Sequence, residues 1–524
     1  MSVKPIKLIE ISGKSWMAGL SVQSYIAVGG IFGEATNFDP FERMGVWIPS
    51  IQGTGRGSGT INTDTRQNLR YIVDWSNSAD SGHSYFYAFC NKNTVYSVKS
   101  ILSGTVTDVS AQVNFADGSD GPDTSNGIRG AIRYRGKIIY ISDTTVFTGS
   151  IPLTLANQSR ILIGLTSVVV GGALTAYPIE HIPHVGPDRN LYITNGNSIA
   201  RVTTIDTTTG NATQYLSFEA GIRIRDITDD GQYLVIAGDD NRTSDTSGSN
   251  NTFSGQHRCF VAFWNMKSQD LTRIWEFRDG RIYSIEKTED EIIIYAVDNI
   301  YTCNINNPIR PLIPLRGKTT IPTDSGTNPA NTIRKGTGIV LWAYSSVIAG
   351  YGRPHPYSDK VLFKLNRIPP AASASSIPAL FYNGAAVWAS TNSTGDGSRL
   401  YDFDLGSTRN SSTVSIAAID FKRPYKFAYA KAVFRKPLAS GEMLQLKINT
   451  ANGNREILAR STVSNASQGA VSGHIFWPAP NATASNQTHT FENTTQIQMN
   501  NVGAEVTRFE LWGYPMPEDQ TTGF

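Results

Sequence analysis

Along this chain, apolar positions alternate with polar ones in short runs, and the runs come in pairs. The first clear pair is YFYAFCNKNTVYSV from Tyr85, with aromatic and β-branched residues in period two around a polar turn. The unit returns as KIIYISDTTVFTG from Lys137, NLYITNGNSIARV from Asn190 and YLVIAGDDN from Tyr233. It returns again as EIIIYAVDNIYTC from Glu291, VLWAYSSVIAGYG from Val340 and AAVWASTNSTGDGSRLYDFDL from Ala385. Each predicts a β-hairpin. Successive starts lie 43 to 58 residues apart, close to the period of propeller blades. A lone hairpin is marginal, but two more strands complete a four-stranded blade, and radial packing buries its faces. FVAFWNM from Phe260 and LTRIWEF from Leu271 supply such outer strands. Seven hairpins predict a seven-bladed β-propeller over residues 67–410. The polar stretch 242–256 blurs the count and leaves six or eight open. Two or three separate β-sandwiches would show similar strands and turns without the repeat period.

The pattern changes near residue 410. TVSIAAIDF, FAYAKAVFR and MLQLKINT lead to an Asn452-Gly453 turn and REILAR, then to HIFWPAP, TQIQMN and VTRFELWGY. Leu444, Leu446 and Ile448 alternate with polar neighbours, as do Phe509 and Leu511, which marks half-buried antiparallel strands. Residues 411–524 therefore predict a separate β-sandwich or jelly roll, with Phe434, Leu446, Ile448, Phe509 and Leu511 in its core. Residues 1–66 fit neither pattern. Their apolar positions have no period, and they predict an extended arm and lead-in to the first blade. The arm carries Trp16, Tyr25, Phe32, Phe38, Phe41 and Trp47, which must pack on this chain or on a neighbouring subunit. The fold class expected is all-β throughout.

Composition narrows the functional classes. Charged residues are 17% of the 524, below the average for soluble domains, while Gly (47) and Pro (24) suit many turns. A net charge of +3 gives no bulk electrostatic case for nucleic-acid binding. No run is long and apolar enough for a membrane span, and MSVKPIKLIEISGKSW has no signal core. Cys90, Cys259 and Cys303 lie far apart with no C-x-x-C pair, which implies folding in a reducing compartment rather than a disulfide framework or zinc site. The N-x-S/T triplets at Asn211, Asn241, Asn250, Asn392 and Asn481 are what an Asn- and Thr-rich chain shows by chance.

Candidate chemistry is sparse. His181 and His184 have a spacing that can share a metal on a helix, but Pro183 argues against a helix there. Asp117, Asp120 and Asp123 miss the spacing of a calcium loop. Asp229, Asp230, Asp239 and Asp240 flank one strand and read as strand-end turns. GTGRGSGT from Gly53 lacks the ending of a phosphate loop and reads as a flexible loop. No G-x-S-x-G elbow, H-E-x-x-H pair or sialidase-type repeat is present. No catalytic, cofactor-binding or metal-ligating residue is assigned, and no enzyme activity is expected.

Two segments carry a resemblance. WMAGLSVQSYIAVGGIFGEATNFDPFERMGVWIPS (16–50) resembles the opening of structural proteins of tailed bacteriophages. Its elements are Gly19-Leu20-Ser21, Gly29-Gly30, Asn37-Phe38-Asp39 and Gly45-Val46. IDFKRPYKFAYAKAVFRKPLASGEMLQLKINTANGNREIL (419–458) resembles their distal β-domain, with a basic, aromatic-rich step before a P-L-x-x-G-x-x-L/I hairpin. The resemblance implies a virion component of the tail, of nozzle, hub or tail-tip type, assembled in the host cytoplasm. It implies a homo-oligomeric ring, neighbours among other tail or portal-adaptor proteins, and contact with the host surface. A receptor- or glycan-binding propeller and a polysaccharide-active propeller enzyme are the alternatives.

Overall fold

The computed structural model describes residues 4–17, 32–52, 54–56, 68–74, 85–92, 95–102, 105–108, 130–141, 146–149, 158–160, 181–202, 212–219, 221–240, 257–297, 299–314, 332–335, 338–344, 347–356, 358–367, 374–382, 387–393, 397–402, 409–419, 425–439, 441–449, 455–461, 474–478, 490–491 and 495–515. Their regular structure is all-β apart from one 3-10 turn, Gly13–Met17.

The chain opens with β1 (Ile6–Ser12), β2 (Phe32–Thr36) and β3 (Thr54–Arg56). Four-stranded antiparallel sheets then follow in order. The first holds β4 (Asn68–Asp74), β5 (Tyr85–Lys92), β6 (Val95–Leu102) and β7 (Thr105–Asp108). The second holds β8 (Gly130–Tyr134), β9 (Lys137–Ile141), β10 (Val146–Gly149) and β11 (Gln158–Arg160). The third holds β12 (Pro183–Val185), β13 (Leu191–Asn195), β14 (Ser198–Val202) and β15 (Ala212–Ser217). The fourth holds β16 (Arg223–Asp229), β17 (Leu234–Asp239), β18 (His257–Trp264) and β19 (Arg273–Asp279). The fifth holds β20 (Ile282–Lys287), β21 (Ile292–Ala296), β22 (Asn299–Cys303) and β23 (Arg310–Pro314). The sixth holds β24 (Thr332–Lys335), β25 (Ile339–Tyr344), β26 (Val347–Gly352) and β27 (Val361–Arg367). The last takes β28 (Ala374–Tyr382), β29 (Val387–Ser393) and β30 (Gly397–Asp402) from this stretch and its fourth strand, β3, from the N-terminal segment. The first strands touch in order, β4 to β8, β8 to β12, and on through β16, β20, β24 and β28, and β28 touches β4 again.

Sequence pattern explains the packing of these sheets. In β17 every residue is buried. Leu234 and Ile236 face a cluster with Tyr192, Ile199 and Ile224, while Val235 and Ala237 face one with Ile282, Ile292 and Ile294. A sheet covered on both faces needs a continuous apolar run rather than alternation, and YLVIAG is such a run. First strands approach closely as well: a Cβ on Gly130 of β8 would lie 2.8 Å from Pro183 Cδ of β12 and 2.0 Å from the carbonyl oxygen of His181 just before it.

The remaining strands are β31 (Ser411–Ile419), β32 (Tyr425–Phe434), β33 (Met443–Asn449), β34 (Arg455–Ser461), β35 (His474–Pro478), β36 (Thr490–Phe491), β37 (Thr495–Val502) and β38 (Val506–Pro515). They form two five-stranded antiparallel sheets, each with an N-terminal strand at its edge: β1-β38-β32-β35, with β36 beside β32, and β2-β31-β37-β33-β34. Phe434, Leu446, Phe509 and Leu511 are buried as expected, whereas the side chain of Ile448 lies outside the described residues.

The chain divides into two compact units. One comprises residues 1–53, 347–369 and 405–524, and the other 54–346 and 370–404. This differs from the expected division into 1–66, 67–410 and 411–524. Aromatic packing within the first unit accounts for the difference. Trp16 stacks on Trp47 at 5.5 Å and on Phe32 at 6.2 Å, and Phe38 meets Phe363 of β27 edge-on at 5.0 Å. Trp16 Nε1 donates to the Thr507 carbonyl at 3.0 Å and Trp47 Nε1 to Ser412 Oγ at 2.9 Å. Trp47 also exchanges backbone hydrogen bonds with Val506, at 2.8 and 3.1 Å. Trp16, Phe32, Phe38 and Trp47 are thus core residues of this unit, and Phe41 is half-buried against Phe363. Tyr25 lies outside the described residues. The segment expected as an arm is laced into sheets by pairing with β38, β31 and β30, and its strands, of seven, five and three residues, are too short and interrupted to show a period in the sequence.

Candidate functional site

A polar cluster that links three successive sheets lies on the first strands of the third, fourth and fifth sheets. His184 of β12 donates from Nε2 to Asp229 Oδ2 of β16 at 3.0 Å. Lys287 Nζ of β20 reaches Asp229 Oδ1 at 3.5 Å, and the Gly231 N–H donates to the same oxygen at 2.7 Å. Burial works against the charge on Asp229, but the His184 hydrogen bond and the charges of His184 and Lys287 outweigh it and hold its carboxyl below the usual range. Beside it, Glu286 accepts from Thr228 Oγ1 at 3.3 Å and from the Lys287 N–H at 2.8 Å. Burial pushes its pKa the other way, above the usual carboxylate range.

A second polar layer ties the fourth sheet to the fifth. The outer edge of a first strand carries unpaired N–H groups. On β20 two of them are met by carboxylates of the fourth sheet. Asp226 accepts from the Ile285 N–H at 2.8 Å, and Asp239 lies 3.4 Å from the Ile282 N. Arg225 grips the same Asp239 through Nε and Nη2, both at 2.9 Å, with both side chains fully buried. Asp279 accepts from the Gly280 N–H at 2.6 Å and from Tyr301 Oη at 2.8 Å. Desolvation raises the pKa of the Tyr301 hydroxyl, and the adjacent Asp279 raises it further.

The residues singled out in the sequence fall as follows. His181 does not join His184: it is buried, and its Nδ1 donates to the Thr194 carbonyl at 2.9 Å. Asp230 caps the β16–β17 turn, accepting from the Gln232 and Tyr233 N–H groups at 2.9 and 2.6 Å. Asp240 accepts from the Arg258 N–H at 2.9 Å. Burial pushes the Cys259 thiol far up and the Cys303 thiol up to about 12, so neither is primed as a nucleophile. Cys90 sits on β5 and Asn392 on β29, and their side chains lie outside the described residues. Asp117, Asp120, Asp123, Asn211, Asn241, Asn250 and Asn481 also lie outside them. Of the glycine-rich stretch from Gly53, residues Thr54–Arg56 form β3 rather than part of a loop. Among the described residues, no three His, Cys, Asp or Glu side chains are placed to hold a metal ion, and no helix is long and apolar enough to cross a membrane. Glu286, Lys287, Thr228 and Asp226 were not singled out, because short strands with mixed polarity give no signal beyond their turn positions. The arrangement directs carboxylates onto backbone N–H groups and basic side chains.

No family model and no curated protein matches this chain. Among solved structures it is similar to YCF48 bound to D1 peptide, at 9% identity and a TM-score of 0.40, over 69% of this chain and 99% of that one. It is similar to the WD40 β-propeller domain of Doa1, at 8% and 0.39, over 67% and 97%. It is also similar to the Neurospora crassa Pan2 WD40 domain, at 9% and 0.37, over 66% and 98%. These likenesses are too distant to speak to function.

Proposed function

We propose that this chain is a structural, non-enzymatic subunit of a phage tail, of nozzle, hub or tail-tip type. In this reading the four-stranded sheets form a closed seven-bladed β-propeller and the two five-stranded sheets a β-sandwich. Copies assemble as a symmetric ring with other tail or portal-adaptor proteins, around the DNA-exit channel, and the product resides in the virion. The observation that carries the reading is the pairing of its two phage-like segments. The opening segment supplies Trp16, Phe32, Phe38 and Trp47, and these are buried in the same compact unit that holds β32 and β33 of the distal segment. The closed order of first-strand contacts and the donation of β3 to the last sheet support the propeller. Carboxylates committed to strand edges suit a rigid part.

The test is electron microscopy of the purified full-length chain together with antibody labelling of virions. Rings of identical chains and label on the tail are expected. A monomer under all assembly conditions, with label absent from the tail, overturns the reading.

One observation favours the host-surface alternative. On the face of β38 away from the core, Trp512 stacks on Tyr429 at 5.4 Å, and Tyr514 is 38% exposed two residues on. Stacked, half-exposed aromatics suit the apolar face of a sugar. Retention of the chain on host polysaccharide, lost in Tyr514→Ser, would favour that alternative.

A further inference from the structure

Strand β1 forms one edge of its sheet, with β38 on one side and no strand on the other among the described residues. An edge of this kind is a template for another chain. Proteins blunt such edges with proline, with charge or with a bulge. β1 contains no proline, leaves Ile6 39% exposed and keeps Leu8 and Ile9 half-exposed, and although it carries two charges, Lys7 and Glu10, and a bulge at Leu8, these are arranged to match a second copy rather than to repel one.

Its sequence, Ile6-Lys7-Leu8-Ile9-Glu10-Ile11, is its own complement when laid antiparallel. About a point between Leu8 and Ile9, Ile6 meets Ile11, Lys7 meets Glu10, and Leu8 meets Ile9. The register with β38 shows which face each residue takes. Ile6, Ile9 and Ile11 lie opposite Gly513, Leu511 and Phe509, which are buried, whereas Lys7 and Glu10 lie opposite Trp512 and Glu510 on the other face. Ile6 and Ile11 are five positions apart and would fall on opposite faces of a regular strand. The bulge at Leu8 shifts the alternation by one and brings them to the same face. The bulge therefore makes the strand self-complementary: apolar meets apolar on one face and cation meets anion on the other. No other antiparallel register pairs Lys7 with Glu10. Within one chain these two side chains bond to each other at the surface, so they are positioned to exchange partners.

We propose that β1 pairs antiparallel with β1 of a second copy about a two-fold axis between Leu8 and Ile9, continuing the sheet from one chain into the next. The contact is isologous and separate from the head-to-tail contact that closes a ring.

The test uses Lys7→Glu and Glu10→Lys in the full-length chain, with particle mass measured in solution. In a homotypic pair each variant sets two like-charge contacts across the axis, so each alone is expected to halve the particle mass relative to wild type at equal concentration. An equimolar mixture restores two opposite-charge contacts between unlike chains and is expected to return the full mass, although neither chain regains its internal pair. Unchanged mass in the single variants, or a mixture that stays at half mass, overturns the proposal. Halving is read from the ratio, so it stands or falls independently of any ring. Should either variant lose its β-sheet circular dichroism, Leu8→Cys/Ile9→Cys decides instead: a covalent dimer on mild oxidation supports the pairing, and its absence overturns it.

Discussion

Buried charges are this protein's most sensitive residues. Arg225 and Asp239 share a bidentate contact with no exposure of either side chain. Such a pair adds little net stability, because desolvation offsets the attraction, but removing one member strands the other. Asp239→Ala should therefore cost about 3–5 kcal/mol in a denaturant titration. The double change Arg225→Met/Asp239→Leu should recover most of that loss. Glu286 behaves differently, because its carboxyl is held above its ordinary 4.5. The folded chain then binds that proton more tightly than the unfolded chain does. Its contribution is fully present below the ordinary value and is lost as pH rises through the raised one. Glu286→Gln removes this dependence. The variant should melt with wild type at about pH 4 and above it at about pH 8, as measured by thermal melts across that range. An equal gap at both ends would contradict the assignment. Sequence could single out His184 and Asp229 but could not join them. His184 looked toward His181, whereas the fold turns the two rings to different partners, the Thr194 carbonyl and the Asp229 carboxylate.

At the scale of elements, what was legible follows from burial. The repeated hairpins are the second and third strands of their sheets, such as β13 with β14 and β21 with β22, except that YLVIAGDDN holds only β17, whose third-strand partner β18 contains FVAFW, expected as part of an outer strand. These are covered on both faces and so read as dense apolar runs. The first strands were missed because RIRDITD and IYSIEK mix polar residues among apolar ones, and several of these bond between the fourth and fifth sheets. β3 was missed because three residues from a glycine-rich stretch carry no period, and only pairing with β30 makes them a strand. The two kinds of sheet predict different tolerance. In β17 both Val235→Ala and Ile236→Ala should destabilise, each by about 1–3 kcal/mol, since adjacent residues face different packed layers. In β38 the effect should alternate. Leu511→Ala should cost about 2–5 kcal/mol, whereas the exposed Arg508→Ala should stay within about 0.5 kcal/mol. Equal effects at 508 and 511 would contradict the one-sided burial of that strand.

At the scale of the molecule, the ends of the chain are interwoven. The sequence predicts a C-terminal domain over 411–524 with its own core, and its strands do alternate as such a domain requires. Yet the edge strands of both five-stranded sheets, β1 and β2, come from the first 36 residues. The core of that unit also holds Trp16, Phe32, Phe38 and Trp47. Two of these indoles bond to groups on β38 and β31, Trp16 to Thr507 and Trp47 to Ser412. Arg409 clamps Glu42 at 2.6 and 2.9 Å and the Pro49 carbonyl at 2.7 Å, which adds a polar tie between the same distant segments. Contacts across nearly the whole chain form late and slowly, since loop closure must precede any gain from them. A fragment of residues 405–524 would expose the surfaces that these four aromatic side chains cover, with no residue of its own to replace them. It should therefore fail to fold alone, giving narrow amide-proton dispersion and no cooperative melt. Adding a peptide of residues 4–52 in trans should restore both, because that peptide carries both missing strands and all four aromatics. Cooperative unfolding of the fragment by itself would mean that the N-terminal strands decorate the unit rather than complete its core.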